Sequence, residues 1–218
     1  MLLLELFSGK GSIGRAFSRR GFDVVSVDID RDANPSHVTD ILNFAYKQYP
    51  PGHFDAIWAC PPCTMYSRAR TTAKTPRDLE GADRLVSIAL RIIAYFHPKC
   101  WALENAGSGL RPGRVVVEGL PCTFVTYCKY ADDEFPKYTK ITPIWHNLNW
   151  EPQPVCCKAS PCPHVANGRH PVTAQRAPSK VGGVRRPTGS DKYSLHTLYS
   201  MPPSLCDEIA DGCWQSCK

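Results

Sequence analysis

The chain has 218 residues, a formal net charge of +6 and 43% hydrophobic residues. This length fits one domain of ordinary size, and the apolar content supports a packed core, which excludes a wholly disordered chain. No run approaches the ~18 apolar residues that span a bilayer, and the start lacks a basic region followed by a signal-like apolar stretch. We therefore expect no membrane partner.

Eleven cysteines are a high and odd count for this length. Many of them lie in predicted strands or beside prolines, and no leader is visible. The sequence therefore predicts free thiols in a reducing intracellular compartment, the cytoplasm or nucleus of a host cell. A disulfide scaffold is the weaker alternative.

The first part of the chain alternates strand and helix patterns. Apolar residues 2–6 predict a buried strand, and residues 12–20 predict a helix that stops at a glycine. A β-branched run at 24–28 predicts a second strand. We expect a short helix at 41–49 and a third strand at 55–59.

A long amphipathic helix is predicted next, with Thr75 as its N-cap and Pro76 at its first helical position. Its apolar residues recur at helical spacing until a proline ends the pattern. A strand at 101–105 follows, and then a hairpin of strands near 123–130 and 141–147. Strands that alternate with helices indicate an α/β, Rossmann-like fold with a mostly parallel sheet.

Beyond Trp150 the periodic pattern gives way to proline, glycine, cysteine and basic residues. Residues 151–200 carry seven Lys/Arg and two Asp/Glu, a surplus that favours a surface facing a polyanion. A solvated loop region is the alternative. With a last helix expected at 203–211, we predict a core of residues 1–150, this small irregular basic segment, and a C-terminal part, 201–218, whose helix returns to the core.

A glycine-rich turn at residues 7–11 (FSGKG) directly follows the first predicted strand. Glycines at a strand-to-helix turn let the backbone approach a nucleotide-like ligand closely. Asp28 closes the next strand about twenty residues later, where an acid accepts hydrogen bonds from ribose hydroxyls. Asp40, just before the next helix, can bind the amino group of an adenine. The alternatives are a tight turn without a ligand and, for Asp40, a simple helix N-cap.

A cysteine follows the third predicted strand in the sequence Pro61-Pro62-Cys63, at the edge where α/β sheets bind ligands. We interpret Cys63 as a thiolate nucleophile. Redox or metal use of the pair Cys60 and Cys63 stays open, as does an inert buried thiol. Glu104 ends the neighbouring strand on the same edge, where a carboxylic acid can protonate a ring nitrogen and make a pyrimidine electrophilic. An ordinary surface carboxylate is its alternative.

Together these pieces resemble the DNA (cytosine-5) methyltransferases. The matching pieces are residues 5–11, Asp28, Asp40, residues 61–63 and residues 104–105, in the family's order. The resemblance covers roughly residues 1–147. It is most particular to compact phage- and virus-type members, through residues 140–147 and 198–209.

The resemblance implies S-adenosylmethionine as cofactor and duplex DNA with a flipped cytosine as substrate. The cofactor contacts that it implies are Phe7, Ser8, Gly9, Gly11, Asp28, Ile29, Asp40 and Pro61. It also implies that Cys63 attacks C6, that Glu104 contacts N3 and the amino group, and that C5 takes the methyl group. Flipping is required because C6 is inaccessible to a side chain inside a stacked duplex.

The chain departs from the family pattern at three points. Thr64 follows Pro-Pro-Cys where the family usually has glutamine. Lys140 and Thr142 stand in place of an arginine pair near the late hairpin; Lys140, which we include among the catalytic residues, supplies charge without a bidentate fork. The large target-recognition domain is missing, so residues 151–200 remain for that task. A short recognition sequence, or dependence on a helper protein, follows.

A basic loop between the nucleophile and the long helix suits phosphate contacts and closure over an extruded base. The predicted nucleic-acid contacts are Arg68, Arg70, Lys74, Arg77, Gln175 and Arg176. A solvated basic loop is the alternative.

Five sulfur and imidazole donors cluster within fifteen residues: Cys156, Cys157, Cys162, His164 and His170. This density predicts a tetrahedral structural zinc that organises an otherwise coreless segment. Free, partly buried thiols are the alternative for the cysteines.

Two rival functions remain open from the sequence. One is the same cytosine-5 chemistry on RNA. The other is a catalytically silent cofactor-binding or DNA-binding subunit, which Thr64 and the altered hairpin make plausible.

Overall fold

A seven-stranded sheet forms the centre of the fold in a computed structural model. The residues described are 1–67, 70, 73–106, 109–132, 135, 137–158, 160–166, 169–170, 180–181, 184–185, 197 and 200–218. The strands of the sheet are β1 (Leu2–Leu6), β2 (Asp23–Asp28), β3 (His37–Val38), β4 (Ala56–Ala59), β5 (Cys100–Glu104), β6 (Cys122–Thr126) and β7 (Ile141–His146). Their order is β3-β2-β1-β4-β5-β7-β6, and in this sheet only β7 runs opposite to the other six strands. The predicted α/β fold with a mostly parallel sheet is confirmed.

Helices pack on both faces of the sheet. They include α1 (Ser12–Arg19), α2 (Leu79–Phe96) and α3 (Pro203–Cys217). Leu3 of β1 belongs to an apolar cluster with Phe17 of α1 and Ile209 of α3. Leu4 belongs to a second cluster, with Val86 of α2. Successive residues of a strand point to opposite faces, so α1 and α3 lie on one face and α2 on the other.

The boundaries of two helices differ from the prediction. Helix α2 begins after Asp78, whose side chain accepts a hydrogen bond from the backbone N–H of Gly81 at 2.7 Å. The prediction of Thr75 as N-cap is therefore wrong, because an acid one turn later caps the helix. Helix α3 continues beyond the predicted 203–211 and ends at Cys217, since its buried apolar face continues to that end.

The region 41–49 is not one helix, as predicted, but two 3₁₀ turns, Ile41–Asn43 and Tyr46–Gln48. Phe44 adopts an extended conformation between them, which prevents a continuous helix. The short strand β3 just before these turns carries no sequence pattern that predicts it, since two residues cannot show a period.

Two cysteines form a disulfide. Cys100, the first residue of β5, is bonded to Cys213 of α3, with 5.7 Å between their Cα atoms. The prediction of free thiols is wrong for this pair, because α3 returns 113 residues later to pack on β5 and buries both sulfurs. The nine other cysteines are free, so the chain has one cross-link and no disulfide scaffold.

The basic segment contributes a short antiparallel hairpin of β8 (Lys180–Val181) and β9 (Val184–Arg185). Its described residues between 151 and 170 follow an irregular path. In the part of the chain that the structure describes, no helix has both the length and the apolar character needed to cross a membrane.

Candidate active site

The carboxyl ends of four parallel strands meet at one edge of the sheet. Leu6 of β1 lies opposite Val27 of β2 and Ala59 of β4, and Ala59 lies opposite Leu103 of β5. The residues that follow these positions are Phe7, Asp28, Cys60 and Glu104. In α/β sheets, ligands bind in the crevice outside such strand ends.

The turn after β1 depends on left-handed backbone conformations. Gly9 and Gly11 have φ values of 49° and 66°, which cost a glycine little. Phe7 has a φ of 57°, which is strained for a residue with a side chain. The backbone N–H of Gly9 donates to Oδ2 of Asp28 at 2.7 Å. Asp28 therefore fixes the turn from the neighbouring strand.

A buried carboxyl beneath this turn was missed by the sequence reasoning. Glu5 of β1 is only 3% exposed and accepts a hydrogen bond from the backbone N–H of Gly14 at 3.1 Å. Burial raises the pKa of Glu5 to about 7, although the Gly14 N–H and the charge of Arg15 oppose that rise. The sequence did contain an indication of this carboxyl, because an acid between two leucines of a buried strand points to the opposite face of the sheet from both.

Two cavities adjoin at this edge. The first, of about 320 Å³, is lined by the turn residues 7–10 together with Glu5, Glu104 and Tyr127, among others. The second, of about 280 Å³, is lined by Phe7, Val27, Asp28, Ile29, Thr39, Asp40, Ile41, Cys60, Pro62 and Leu85. Phe7 and Cys60 border both cavities, so the two lie side by side at this edge.

Six of the eight predicted cofactor residues line these cavities. They are Phe7, Ser8, Gly9, Asp28, Ile29 and Asp40. Gly11 is instead the N-cap of α1. The carbonyl of Pro61 accepts a hydrogen bond from Asn105 at 2.8 Å, which ties the Pro-Pro-Cys loop to the end of β5. Asp40 also accepts from the backbone N–H of Leu42 at 2.9 Å, so it is both a cap and a cavity residue.

Glu104 is buried at the end of β5, with 5% of its surface exposed. It is therefore not the surface carboxylate of the alternative interpretation. Its Oε2 accepts a hydrogen bond from the Cys60 thiol at 3.0 Å, and its Oε1 accepts one from the Tyr127 hydroxyl at 3.3 Å. Sequence reasoning missed Tyr127, which reaches Glu104 only through the pairing of β6 with β7 and of β7 with β5.

The Cys63 thiol is half-buried in the loop after β4. Burial and the nearby charge of Glu104 raise its pKa, and the ammonium of Lys140 opposes that rise. The Lys140 Nζ lies 4.4 Å from the centroid of the Tyr127 ring. The charge of Lys140 acts on both the Cys60 and the Cys63 thiol, and it favours the thiolate form.

The loop after Cys63 is clamped to α2. The hydroxyl of Tyr66 donates to Oδ1 of Asp83 at 2.6 Å, and the guanidinium of Arg114 donates to both oxygens of Asp83 at 2.6 Å each. A Cβ at Gly109 would lie 2.5 Å from the Tyr66 carbonyl oxygen, so the chain after β5 packs directly on this loop. This clamp anchors the loop although Thr64, which stands where the family usually has glutamine, has an exposed side chain.

The predicted nucleic-acid residues are only partly described. Arg68, Gln175 and Arg176 lie outside the described residues. Arg70 donates to the Pro76 carbonyl at 3.2 Å, and Arg77 donates to the Met65 carbonyl at 2.6 Å. Both guanidinium groups therefore hold the basic loop together. Lys74 is exposed.

The predicted zinc ligands come together only in part. Cys156, Cys162 and His170 converge with Cys128, and one donor atom of each lies within 4.8 Å of the others. Cys157 is exposed and His164 is not part of this group, so the structure does not bring these two predicted ligands together with the others. Sequence reasoning missed Cys128 because it lies 28 residues before Cys156 and reaches the cluster through the turn after β6.

Comparison with known proteins places the chain in a family. The model for C-5 cytosine-specific DNA methylases matches residues 1–112, which include the glycine turn, Cys63 and Glu104. The chain belongs to this family. By that membership it is an enzyme of the DNA (cytosine-5)-methyltransferase class.

A viral relative extends the likeness to nearly the whole chain. The "Probable DNA (cytosine-5)-methyltransferase" of Frog virus 3 (isolate Goorha) is 29% identical over 225 residues, with 98% of this chain and 100% of the relative covered. Among solved structures, the S. pombe Dnmt2 methyltransferase is similar with a TM-score of 0.47 and 18% identity. That match covers 71% of this chain and 53% of the yeast protein, so the chain spans about half the length of that structure.

Proposed function

We propose that this DNA methylase transfers a methyl group from S-adenosylmethionine to C5 of cytosine in duplex DNA, with Cys63 as the nucleophile. One observation carries the proposal. The buried carboxyl of Glu104 lines the larger cavity at the edge of the sheet, and the Cys63 loop is tied to the same strand end through Asn105 and Pro61.

The two adjoining cavities fit S-adenosylmethionine. The smaller one offers the apolar side chains of Ile29 and Leu85 with the carboxylates of Asp28 and Asp40, which suits an adenine ring and ribose hydroxyls. The larger one offers polar groups of the turn residues 7–10, which suit the amino-acid end. When bound, the cofactor would supply an electrophilic methyl group and would leave as S-adenosylhomocysteine. In this proposal Gly11 and Pro61 do not contact the cofactor but support the site, Gly11 as the N-cap of α1 and Pro61 through its hydrogen bond with Asn105.

The remaining steps fall to residues of this chain. The Cys63 sulfur forms a bond to C6 of an extruded cytosine, and the electron pair of the C5–C6 double bond becomes available at C5. Glu104 donates a proton to N3 and accepts a hydrogen bond from the exocyclic amino group, so that the ring can take up the electron pair. After C5 is methylated, a base removes the C5 proton, the double bond re-forms, and the Cys63 thiolate leaves.

Glu104 must rearrange its hydrogen bonds to meet the base. Its two oxygens accept hydrogen bonds from Cys60 and Tyr127, so one of these bonds has to give way to the cytosine. We propose that Tyr127 keeps the carboxyl oriented, while the Cys60 bond is exchanged for a bond to the cytosine. Burial raises the pKa of the Cys63 thiol, so in this proposal its proton passes to water as substrate binds, with the Lys140 charge favouring the thiolate.

The basic residues support binding to a polyanion. We propose phosphate contacts for Arg68, Arg70, Lys74 and Arg77, and contacts from the basic segment through Gln175 and Arg176. Binding then weakens steeply with added salt, because each neutralised phosphate releases counterions. A reducing compartment is proposed too, since a nucleophilic thiol must stay reduced. The Cys100–Cys213 disulfide is buried, which shields it from thiol reductants there.

The test is bisulfite sequencing of DNA from bacteria that lack their own cytosine methylation. One culture expresses the chain, a second its Cys63→Ala form, and a third its Cys157→Ser form, in which only an exposed thiol is changed. We expect methylated cytosines in the first and third cultures only, and their flanking bases give the recognition sequence. Unmodified DNA in all three, with folded protein, refutes the proposal as stated. Methylated RNA in the same cells then assigns RNA as substrate, and methylation that returns only with viral extract assigns a helper protein.

A further inference from the structure

Four side chains from separate parts of the chain converge next to the active-site wall. Cys128 lies in the 3₁₀ turn after β6, whereas Cys156, Cys162 and His170 belong to the irregular basic segment. The Cys162 sulfur lies 3.1 Å from Nε2 of His170, and the Cys156 sulfur lies 3.8 Å from the same atom. All four donor atoms lie within 4.8 Å of one another.

We propose that Cys128, Cys156, Cys162 and His170 bind a structural zinc ion. Zinc–sulfur and zinc–nitrogen bonds of ~2.3 and ~2.0 Å place tetrahedral ligands ~3.5–3.8 Å apart. The donor atoms therefore need to shift by less than about 1 Å to reach that geometry. Three thiolates and an imidazole are soft donors, which select zinc over magnesium or calcium.

The surroundings of the cluster match those of a metal site. The Thr139 hydroxyl lies 2.7 Å from Nδ1 of His170 and 3.2 Å from Nε2. If Nδ1–H donates to the nearer Thr139 hydroxyl, Nε2, the atom that faces the cysteines, keeps its lone pair for the metal. The backbone N–H of Cys162 donates to the Cys156 sulfur at 3.3 Å, and such a bond stabilises a thiolate ligand.

The position of the cluster gives the metal a task. Residues 151–170 contain few apolar side chains, and polar contacts such as the Cys156 N–H to the Thr126 hydroxyl, 2.9 Å, attach them to β6. Zinc supplies a strong link in place of a hydrophobic core. Cys128 directly follows Tyr127, whose hydroxyl donates to Glu104. The ion therefore connects the basic segment to the side of the larger cavity that Tyr127 and Glu104 line.

The charge around the site is compatible with this ligand set. Three thiolates and one zinc ion carry a net charge of −1. The Lys129 ammonium lies in the same turn as Cys128. It donates to the hydroxyl of Ser160 at 3.2 Å, a residue between the proposed ligands Cys156 and Cys162. A positive side chain at this place offsets the excess negative charge of the cluster.

The experiment measures zinc in the purified full-length chain by elemental analysis. We expect about one zinc per chain, as for a closed structural site. Cobalt replacement on the wild-type chain should give the intense visible bands of a tetrahedral thiolate site. Cys156→Ser and Cys162→Ser should lower zinc affinity by more than ~100-fold, and Thr139→Val by ~10–100-fold. Cys157→Ser and His164→Asn are matched controls in the same segment and should keep the zinc.

Three results overturn the proposal. The first is folded wild-type chain that contains no zinc after growth with added zinc and takes up no cobalt. The second is loss of zinc from Cys157→Ser or His164→Asn to the same extent as from Cys156→Ser. The third is a cobalt spectrum without sulfur-to-metal charge transfer. The wild-type spectrum does not depend on any variant folding, so an unstable variant leaves the test intact. All readouts are independent of methylation, so failure of the proposed function does not affect them.

Discussion

The buried carboxyl of Glu5 makes stability depend on pH in a calculable way. Its pKa rises from an ordinary value of 4.5 to about 7 in the folded chain, so between these values the folded state holds a proton that the unfolded state has lost. Stability therefore falls as pH increases through this window. Since a tenfold change in proton affinity is ~1.4 kcal/mol, the loss is about 3 kcal/mol. Glu5→Gln keeps an acceptor for Gly14 and cannot ionise, so it should not suffer this loss.

The assay is urea unfolding of the wild type and Glu5→Gln from about pH 4.5 to about pH 8. We expect the wild type to lose about 3 kcal/mol relative to the variant, with the change complete just above pH 7. Glu118→Gln removes a carboxylate at an exposed position and is the control for a change in overall charge. A difference between wild type and Glu5→Gln that stays constant with pH would refute the reasoning, because Glu5 would then ionise equally in both states.

Three further predictions concern the active site. Lys140→Gln should slow the bonding of Cys63 to DNA that contains 5-fluorocytosine by roughly tenfold at neutral pH, and should move the pH profile of this reaction upward, because a charge that favours the thiolate is lost. Lys140→Arg should restore the rate and the profile, and an unchanged profile in Lys140→Gln would exclude this role for Lys140. Asp83→Asn should lower the free energy of unfolding by about 1–2 kcal/mol, since it weakens charge-assisted hydrogen bonds to Tyr66 and Arg114 in a partly exposed site. It should also slow the bonding of Cys63 to 5-fluorocytosine DNA. Urea unfolding that matches the wild type would contradict a stabilising role for these hydrogen bonds. Gly14→Ala places a Cβ 2.6 Å from the Glu5 carboxylate, so we expect a loss of about 1–3 kcal/mol and weaker cofactor binding by calorimetry, and a stabilised variant would show that Glu5 moves aside freely.

Local patterns predicted the parts of the fold that depend on neighbouring residues. The apolar run Leu2–Leu6 and the turn at residues 7–11 predicted a strand end with a ligand site, and that position is where two cavities open. Glu104 could be placed on the same edge because the carboxyl ends of parallel strands align. The orientation of the Glu5 carboxyl was predictable in principle, since neighbouring side chains of β1 point to opposite faces of the sheet and Glu5 lies between two leucines.

Contacts between distant segments could not be read from local patterns. Tyr127 reaches Glu104 only once β7 pairs with β5 and β6. Cys128 joins the cysteine and histidine cluster from outside the dense run that drew attention to it, and Cys213 meets Cys100 across 113 residues. Sequence spacing carries no information on such pairs until the tertiary fold is known.

The most direct test of the account is covalent capture on DNA that contains 5-fluorocytosine, with S-adenosylmethionine present. Fluorine at C5 cannot leave as a proton does, so the bond between Cys63 and C6 persists and can be mapped by fragment-ion mass spectrometry. The account predicts an adduct at Cys63 in the wild type and in Cys157→Ser, and none in Cys63→Ala. An adduct at Cys60, or no adduct from folded protein that binds the cofactor, would contradict it.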